Sequence, residues 1–291
     1  MNNNTLVLGL NAHTWIHAGS GEKDGVVDLP IQREAHTGWP VVFGSSLKGA
    51  MRSAATRRQK DQSLITLFGP EALGEGVGSE KHHAGALMIS DARLIWLPVR
   101  SLTTHTRYVT CPAMMRRLLA DMARAGQAQS LEIPTVQNLD ALVCHKESDR
   151  LYLEEYAFSQ QESTVLRSWC DLLARFSELD AEEVAQQLVL ISNDQFSHLS
   201  QAAIPLHPHI AIDYETKSVV DGALWYEEAL PPETLFYSLI MVNDARDKSG
   251  LKAETLRNQL KARMLEDHPY LQVGGNETTG MGWVKLTSLE G

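Results

Sequence analysis

The order of hydrophobic patterns along the chain predicts an α+β protein on a ferredoxin-like βαββαβ core. Three observations carry this. Two helical patterns, about 46–60 and 251–266, each lie between strand patterns. Thr234–Asn243 (TLFYSLIMVN) reads as the best buried strand of the chain. A long excursion, about 111–230, separates the two halves of the six-element order without breaking it. The chain is expected to be one domain. Its core is about 1–110 and 230–291, a helical insertion covers about 111–190, and a hairpin covers about 198–228.

Thr5–His13 alternates around Leu6, Leu8 and Leu10, as a strand does. Residues 18–43 lack periodicity and form a long loop, a kind that is usually functional or disordered. Gly44-Ser45-Ser46 then opens the helix at about 46–60, with the serines as N-caps and Leu47, Ala50, Met51, Ala54 and Ala55 at helical spacing. A Gly-rich loop, 69–85, precedes Ala86–Val99, which is one long strand or a bent pair. Met114–Ala125 is a short helix, and weak strands lie around Leu142 and Leu151. Glu162–Phe176 is helical, and 182–190 reads as a further helix. Strand patterns at 209–214 and 218–226 flank a polar turn near Thr216. Leu251, Leu256, Leu260, Met264 and Leu265 line the inner face of the second core helix. Gly274–Gly282 leads into a last strand, Met281–Leu286.

Composition excludes several classes. With 43% hydrophobic and 21% charged residues, the 291-residue chain reads as a globular protein. No apolar run approaches the ~20 residues that span a bilayer. MNNNTLVLGL has no basic region followed by a small-residue cleavage site, so no secretory signal is expected. Cys111, Cys144 and Cys170 make no CxxC pair, which points to a reducing, cytoplasmic setting. The net charge of -10 argues by itself against nucleic acid. The charge is uneven, however. Residues 1–130 hold 14 Lys/Arg against 10 Asp/Glu, and the remainder holds 12 against 26.

Two segments carry anion-binding chemistry. Gly44–Arg52 (GSSLKGAMR) is a loop-to-helix junction, with Ser45 and Ser46 as hydroxyl donors and Lys48 and Arg52 one turn apart. Arg57, Arg58 and Lys60 extend the charge, and no acid falls between Glu34 and Asp61. GGNETTGMG (Gly274–Gly282) has G-x4-G spacing, but Met281-Gly282 stands where a phosphate loop needs Lys-Ser/Thr. It is either an anion-binding nest of backbone N–H groups or a plain turn. Asp28, before Pro30, is a loop carboxylate suited to holding a divalent ion or orienting a nucleophile. The eleven histidines form no metal signature; His13 and His17, and His207 and His209, are close in sequence but do not share a helix face.

Taken in order, HAGSGEKDGVVDLPIQRE (His17–Glu34), GSSLKGAMR and GGNETTGMGWVKL (Gly274–Leu286) resemble the RAMP-superfamily backbone subunits of type III-B CRISPR effector (Cmr) complexes. SDARLIWLPVRS (Ser90–Ser101) and IDYETKSVVDGALWYEEALPPETLF (Ile212–Phe236) extend the resemblance over most of the chain. One departure is Val42-Phe43 before Gly44, where such proteins usually carry a proline.

The resemblance implies an RRM-like core with a projecting β-hairpin thumb. It implies copies stacked helically along one guide CRISPR RNA, with other subunits of the complex, and each thumb displacing a base pair between guide and target RNA. It also implies divalent-metal-dependent (Mg or Mn) cleavage of the complementary target RNA, with no membrane role. Carried over by position, Asp28 is the catalytic and metal-binding residue. His17, Arg33, Ser45, Ser46, Lys48, Arg52, Gly274, Gly275, Thr278, Thr279, Gly280 and Gly282 are the RNA-binding set. Three alternatives stand beside this: a non-cutting RNA-binding scaffold, a guide-processing ribonuclease using His17 as its acid–base group, and a ferredoxin-like metabolic or regulatory domain.

Overall fold

The structure is a computed structural model that describes residues 4–22, 27–58, 63–70, 83–266 and 268–289. In chain order its first half contains β1 (Thr5–Ala12), β2 (Val41–Val42), α1 (Gly44–Arg58), α2 (Ser63–Phe68), β3 (Leu87–Ile89), β4 (Ala92–Ser101), β5 (His105–Thr110) and α3 (Pro112–Arg124). The excursion follows with β6 (Asp140–Val143), β7 (Arg150–Leu153), β8 (Tyr156–Glu162), α4 (Thr164–Arg167), α5 (Cys170–Ala174), α6 (Ala181–Gln187), β9 (Leu188–Leu190) and α7 (Asn193–Ala202). The chain closes with β10 (Leu206–Ile212), β11 (Val219–Glu228), β12 (Leu235–Val242), α8 (Ala253–Lys261), β13 (Tyr270–Gln272) and β14 (Trp283–Leu289).

The core is ferredoxin-like. Its strands lie in the order β14-β1-β12-β4, each antiparallel to its neighbour, with α1 and α8 as the two crossover helices. Alternation splits the side chains of β1 between two cores. Leu6, Leu8 and Leu10 pack with Leu47 and Met51 of α1 and with Leu256 and Leu260 of α8. Val7 faces the other layer, with Trp96, Trp169, Phe176 and Tyr237. Strand β1 is thus covered on both faces. At Gly9 the second layer comes so close that a Cβ would collide with Thr287 Oγ1 and the Phe176 carbonyl.

The excursion differs from its expected helical character. Strands β5, β9, β6, β8 and β7 extend the sheet beyond β4, and a pairing of Ser101 with Leu153 brings β7 back to β4. Short strands of three to seven residues carry too few alternations to stand out from a helical pattern. The helix expected over Glu162–Phe176 is two short pieces, α4 and α5, and the one expected over 182–190 ends at Gln187, where β9 begins. Ala86–Val99 is the bent pair, β3 and β4, broken at Ser90-Asp91. The hairpin strands start and end at 206–212 and 219–228, and the segment from 198 to 202 belongs to α7. Helix α1 starts at Gly44 rather than at 46, so Ser45 and Ser46 lie in its first turn and do not cap it. Lys60, and the larger part of the Gly-rich loop 69–85, lie outside the described residues.

Antiparallel pairing has one consequence for function. The C-terminal end of β1 lies beside the N-terminal ends of β12 and β14. The segment after β1, the hairpin before β12 and the Gly-rich segment before β14 therefore leave the sheet at the same end.

Substituting Gly9 by Ala is expected to destabilise the fold by about 2–4 kcal/mol, because the obstructing Phe176 carbonyl is backbone and cannot swing aside. Urea denaturation of the purified variant measures it.

Candidate functional site

Asp28 stands at the foot of the hairpin. Leu29 forms a parallel bridge with Glu227 of β11. Leu29 N–H donates to the Tyr226 carbonyl at 3.1 Å, and Glu228 N–H to the Leu29 carbonyl at 3.0 Å. Tyr226 N–H donates to Asp28 Oδ2 at 2.8 Å. One carboxylate oxygen of this half-buried aspartate is thereby fixed, and Oδ1 has no donor among the described residues.

Two buried acids follow Tyr226. Glu228, 6% exposed, accepts from Ile31 N–H at 3.0 Å and from the Arg33 guanidinium. Glu227, 3% exposed, points to the other face of the strand, as successive strand residues do. There it meets the Asn276 amide, His17 Nδ1 at 3.4 Å and His209 Nε2 at 3.9 Å. Burying a carboxylate is costly unless its oxygens are engaged. The end of β11 is therefore a junction that holds the Asp28 segment on one face and the Gly-rich loop on the other.

This arrangement reassigns two expected RNA contacts. His17 is 8% exposed, and its Nδ1 donates to the Glu228 carbonyl at 2.8 Å. Arg33 spends its guanidinium on Glu228 and on the carbonyls of Gly38 and Ser200, at 2.9 and 3.1 Å. His17 is buried and Arg33 partly exposed, and the polar groups of both are engaged within the protein.

The Gly-rich loop is a shelf rather than an open nest. Gly275 N–H donates to the His17 carbonyl at 2.8 Å and Gly282 N–H to the Trp15 carbonyl at 2.7 Å. Thr279, Gly280 and Met281 donate theirs within the loop. Those five N–H groups are spent internally and are not available to an anion. The glycines serve close approach instead. Gly274 has φ +87°, and a Cβ there would strike the His17 carbonyl; Gly282 has φ +88°, and a Cβ would strike the Val273 carbonyl. Gly280, Thr278 and Thr279 are exposed, although the Thr279 hydroxyl is tied to the Asn276 carbonyl.

At α1 one N–H of the helix N-terminus is already taken. Asp91, at the break between β3 and β4, accepts Gly44 N–H at 2.7 Å. Ser46 Oγ accepts from Gln32 Nε2, while Ser45 is exposed. Gln32 is a link that sequence reasoning missed. Its amide joins the Gly19 carbonyl, Ser46 Oγ and Phe43 N–H at 3.0, 3.0 and 2.7 Å, so the Asp28 segment and the start of α1 share one bracket.

Lys48 and Arg52 make only long contacts, to the Leu87 carbonyl at 3.4 Å and the Pro70 carbonyl at 3.3 Å. Burial, then Arg52, then Arg246 hold the Lys48 amine below the ordinary lysine range. Among the described residues none of these three cations is paired with a carboxylate. Arg246, a second residue missed in the sequence, lies two residues beyond Asp244 in an ordinary-looking polar turn, and nothing in its spacing marks it. Like charges held together without counter-charge form a site for an anion. Arg57 and Arg58 do not extend this cluster. Arg57 pairs with Glu277 at 2.9 Å, and Arg58 binds the carbonyls of Arg263, His268 and Tyr270.

Among the described residues, no three His, Cys, Asp or Glu side chains are gathered for a metal ion. Asp28 Oδ1 accepts no hydrogen bond among the described residues. It suits a hard cation that takes one protein carboxylate and completes its shell from phosphate and water, as Mg2+ commonly does.

At pH 8.5 the Lys48 amine is expected to acylate faster than that of exposed Lys248, and Arg246→Ala is expected to slow it, since removing a neighbouring positive charge raises the Lys48 pKa. Timed labelling read by peptide mass spectrometry checks both.

Comparison with known proteins agrees with this architecture. The pattern of the RAMP superfamily matches residues 10–285. The chain is 36% identical to the CRISPR system Cmr endoribonuclease Cmr4 of Pyrococcus furiosus, over 98% of this chain and 95% of that protein. It is 26% identical to the CRISPR system CMR subunit Cmr4 of Saccharolobus solfataricus, over 95% and 94% of the two chains. The crystal structure of oligomeric Cmr4 from Pyrococcus furiosus superposes with a TM-score of 0.74 at 29% identity, covering 99% of both chains. The chain belongs to the RAMP superfamily, in its Cmr4 branch.

Proposed function

We propose that this chain is a guide-RNA-binding backbone subunit of a type III CRISPR effector complex and that it cuts complementary target RNA at Asp28. One observation carries the reading: Asp28 is held by a backbone N–H on one oxygen and open on the other, at the foot of a projecting hairpin. The relationship to a Cmr endoribonuclease over almost the full length of both chains supports it.

The roles divide as follows. Lys48, Arg52 and Arg246 bind the guide backbone, and the exposed Ser45 adds a hydroxyl. Charge at the backbone suffices, because base pairing reads the sequence. The shelf Gly274–Gly282, with Thr278 outermost, lets the RNA pass close to the protein backbone. The hairpin is the thumb. It shows Ile210, Ile212, Tyr214, Val219 and Leu224 to solvent, apolar side chains fitted to wedge between base pairs and to meet a further copy of the chain. Other subunits of the complex cap the resulting helical stack.

For cleavage, Asp28 Oδ1 accepts the proton of the target 2′-hydroxyl, which attacks the adjacent phosphorus in line. The 5′-oxygen leaves and takes a proton from water, giving a 2′,3′-cyclic phosphate and a 5′-hydroxyl. Alternatively, Asp28 Oδ1 would hold a divalent ion, Mg2+ or Mn2+, which would neutralise charge developing on the phosphate, the 2′-hydroxyl proton then passing to water. The protein's own contribution is to hold the carboxylate still and to exclude competing geometries. Guide processing by His17 is the weaker reading, since that ring is buried and hydrogen-bonded to Glu228.

In the reconstituted, guide-loaded complex, Asp28→Ala is expected to slow target cutting by about a hundredfold or more while target binding persists. Gel analysis of labelled target RNA, with and without EDTA, measures it; cutting that survives Asp28→Ala reduces the chain to a scaffold. Lys48→Ala and Arg52→Ala are each expected to lower the log–log salt slope of guide binding by about 0.7, one backbone phosphate contact apiece. Filter binding from 50 to 300 mM salt, roughly the range in which such slopes are read, tests this.

A further inference from the structure

We propose that Glu228 and Arg33 are positioning residues for cleavage: their buried pair locks the Asp28 segment to the hairpin, so that hairpin and carboxylate move as one body. The inference rests on the reading of Asp28 as the catalytic group and deepens it.

Burial is inverted along β11. Along β11 the apolar side chains Val219, Val220 and Leu224 are exposed, while the two acids that end the strand are buried. Just past the strand Ala229 and Leu230 are buried, Leu230 in the core, while the two acids themselves are held by polar bonds. Glu228 supplies four of them, all to the segment between β1 and β2. Its N–H donates to the Leu29 carbonyl and its carbonyl accepts from His17. Its carboxylate accepts from Ile31 N–H and from Arg33.

These contacts bracket Asp28. Leu29 and Ile31 are held just after it, and the Tyr226 N–H holds its carboxylate directly. Arg33 in turn reaches the Gly38 and Ser200 carbonyls, which joins the bracket to the turn before β2 and to α7. A buried ion pair is weak evidence of stability, but removing one partner leaves the other charge uncompensated. The pair therefore fixes a geometry. A shift of the carboxylate by an ångström matters greatly to an in-line attack that depends on alignment.

The test uses the guide-loaded complex and two readouts: single-turnover cutting and target-RNA affinity. Glu228→Gln and Arg33→Gln are each expected to slow cutting by about tenfold with affinity unchanged within about threefold, a loss confined to the reacting geometry. The double variant is expected to cut no more slowly than either single one, since residues acting as a unit are not additive. Wild-type cutting by both single variants overturns the proposal. So does a fall in affinity with Arg33→Gln together with additive losses, which would make Arg33 an RNA contact. Asp28→Ala is run alongside. If it still cuts, the reading of the catalytic group fails; if it is dead while the Glu228 and Arg33 variants are normal, only the positioning role fails. Should Glu228→Gln not assemble, Arg33→Lys against Arg33→Met asks the same question. Retention by Lys with loss by Met supports the pair, and equal cutting by both overturns it.

Discussion

Strand β1 runs antiparallel to both of its neighbours, and the position of each functional segment follows from that pairing. An antiparallel partner starts where its neighbour stops. The chain leaving β1 therefore meets the chain entering β12 and the chain entering β14, although these lie more than 200 residues away in sequence. The Asp28 segment, the hairpin foot and the glycine shelf share one end of the sheet for this reason. Both faces of β1 are buried, so a slip of one residue would exchange its two cores, and the register is strongly held.

Above this frame, packing gives way to polar anchoring. The end of the sheet that carries the candidate site is knit by single side chains with several partners, Glu228, Glu227 and Gln32, and by Asp91 on Gly44 N–H at the start of α1. Glu228, Gln32 and Asp91 satisfy backbone groups that a loop cannot satisfy in a ladder, and Glu227 gathers the Asn276 and His17 side chains. The arrangement gives a rigid surface without a thick core beneath it. It also leaves the cations Lys48, Arg52 and Arg246 without a carboxylate among the described residues, an electrostatic imbalance that favours an anion.

The core was legible in the sequence because its signals are local and periodic. Leu6, Leu8 and Leu10 alternate as a strand requires, and Leu47, Met51, Ala54 and Ala55 recur as a helix requires; the structure buries both sets. The strands of the excursion were not legible, since Leu188–Leu190 or Arg150–Leu153 is too short to show a period. The candidate site was half legible. The order of segments pointed to Asp28, Lys48 and Arg52. It did not reveal that Arg33 and His17 are consumed by Glu228, or that Arg246 lies near Lys48, because those are meetings between residues far apart in the chain. For the Gly-rich loop the sequence left an anion-binding nest and a plain turn both open, and five of its N–H groups bond within the protein.

Beyond the Leu29 bridge at its foot, the hairpin β10–β11 pairs only with itself among the described residues, and its strands end in a turn tied by Asp213 and Thr216. Its length is therefore free of the constraints that bind the core, but not free of parity. Inserting two residues in each strand would lengthen the arm by about 7 Å and leave each side chain facing as before. Inserting one in each would turn the exposed apolar residues to the opposite face. Regular extension of such an arm keeps the facing of its tip in even steps, and an odd step needs a slip in the ladder such as the one between Ile210 and Ile212.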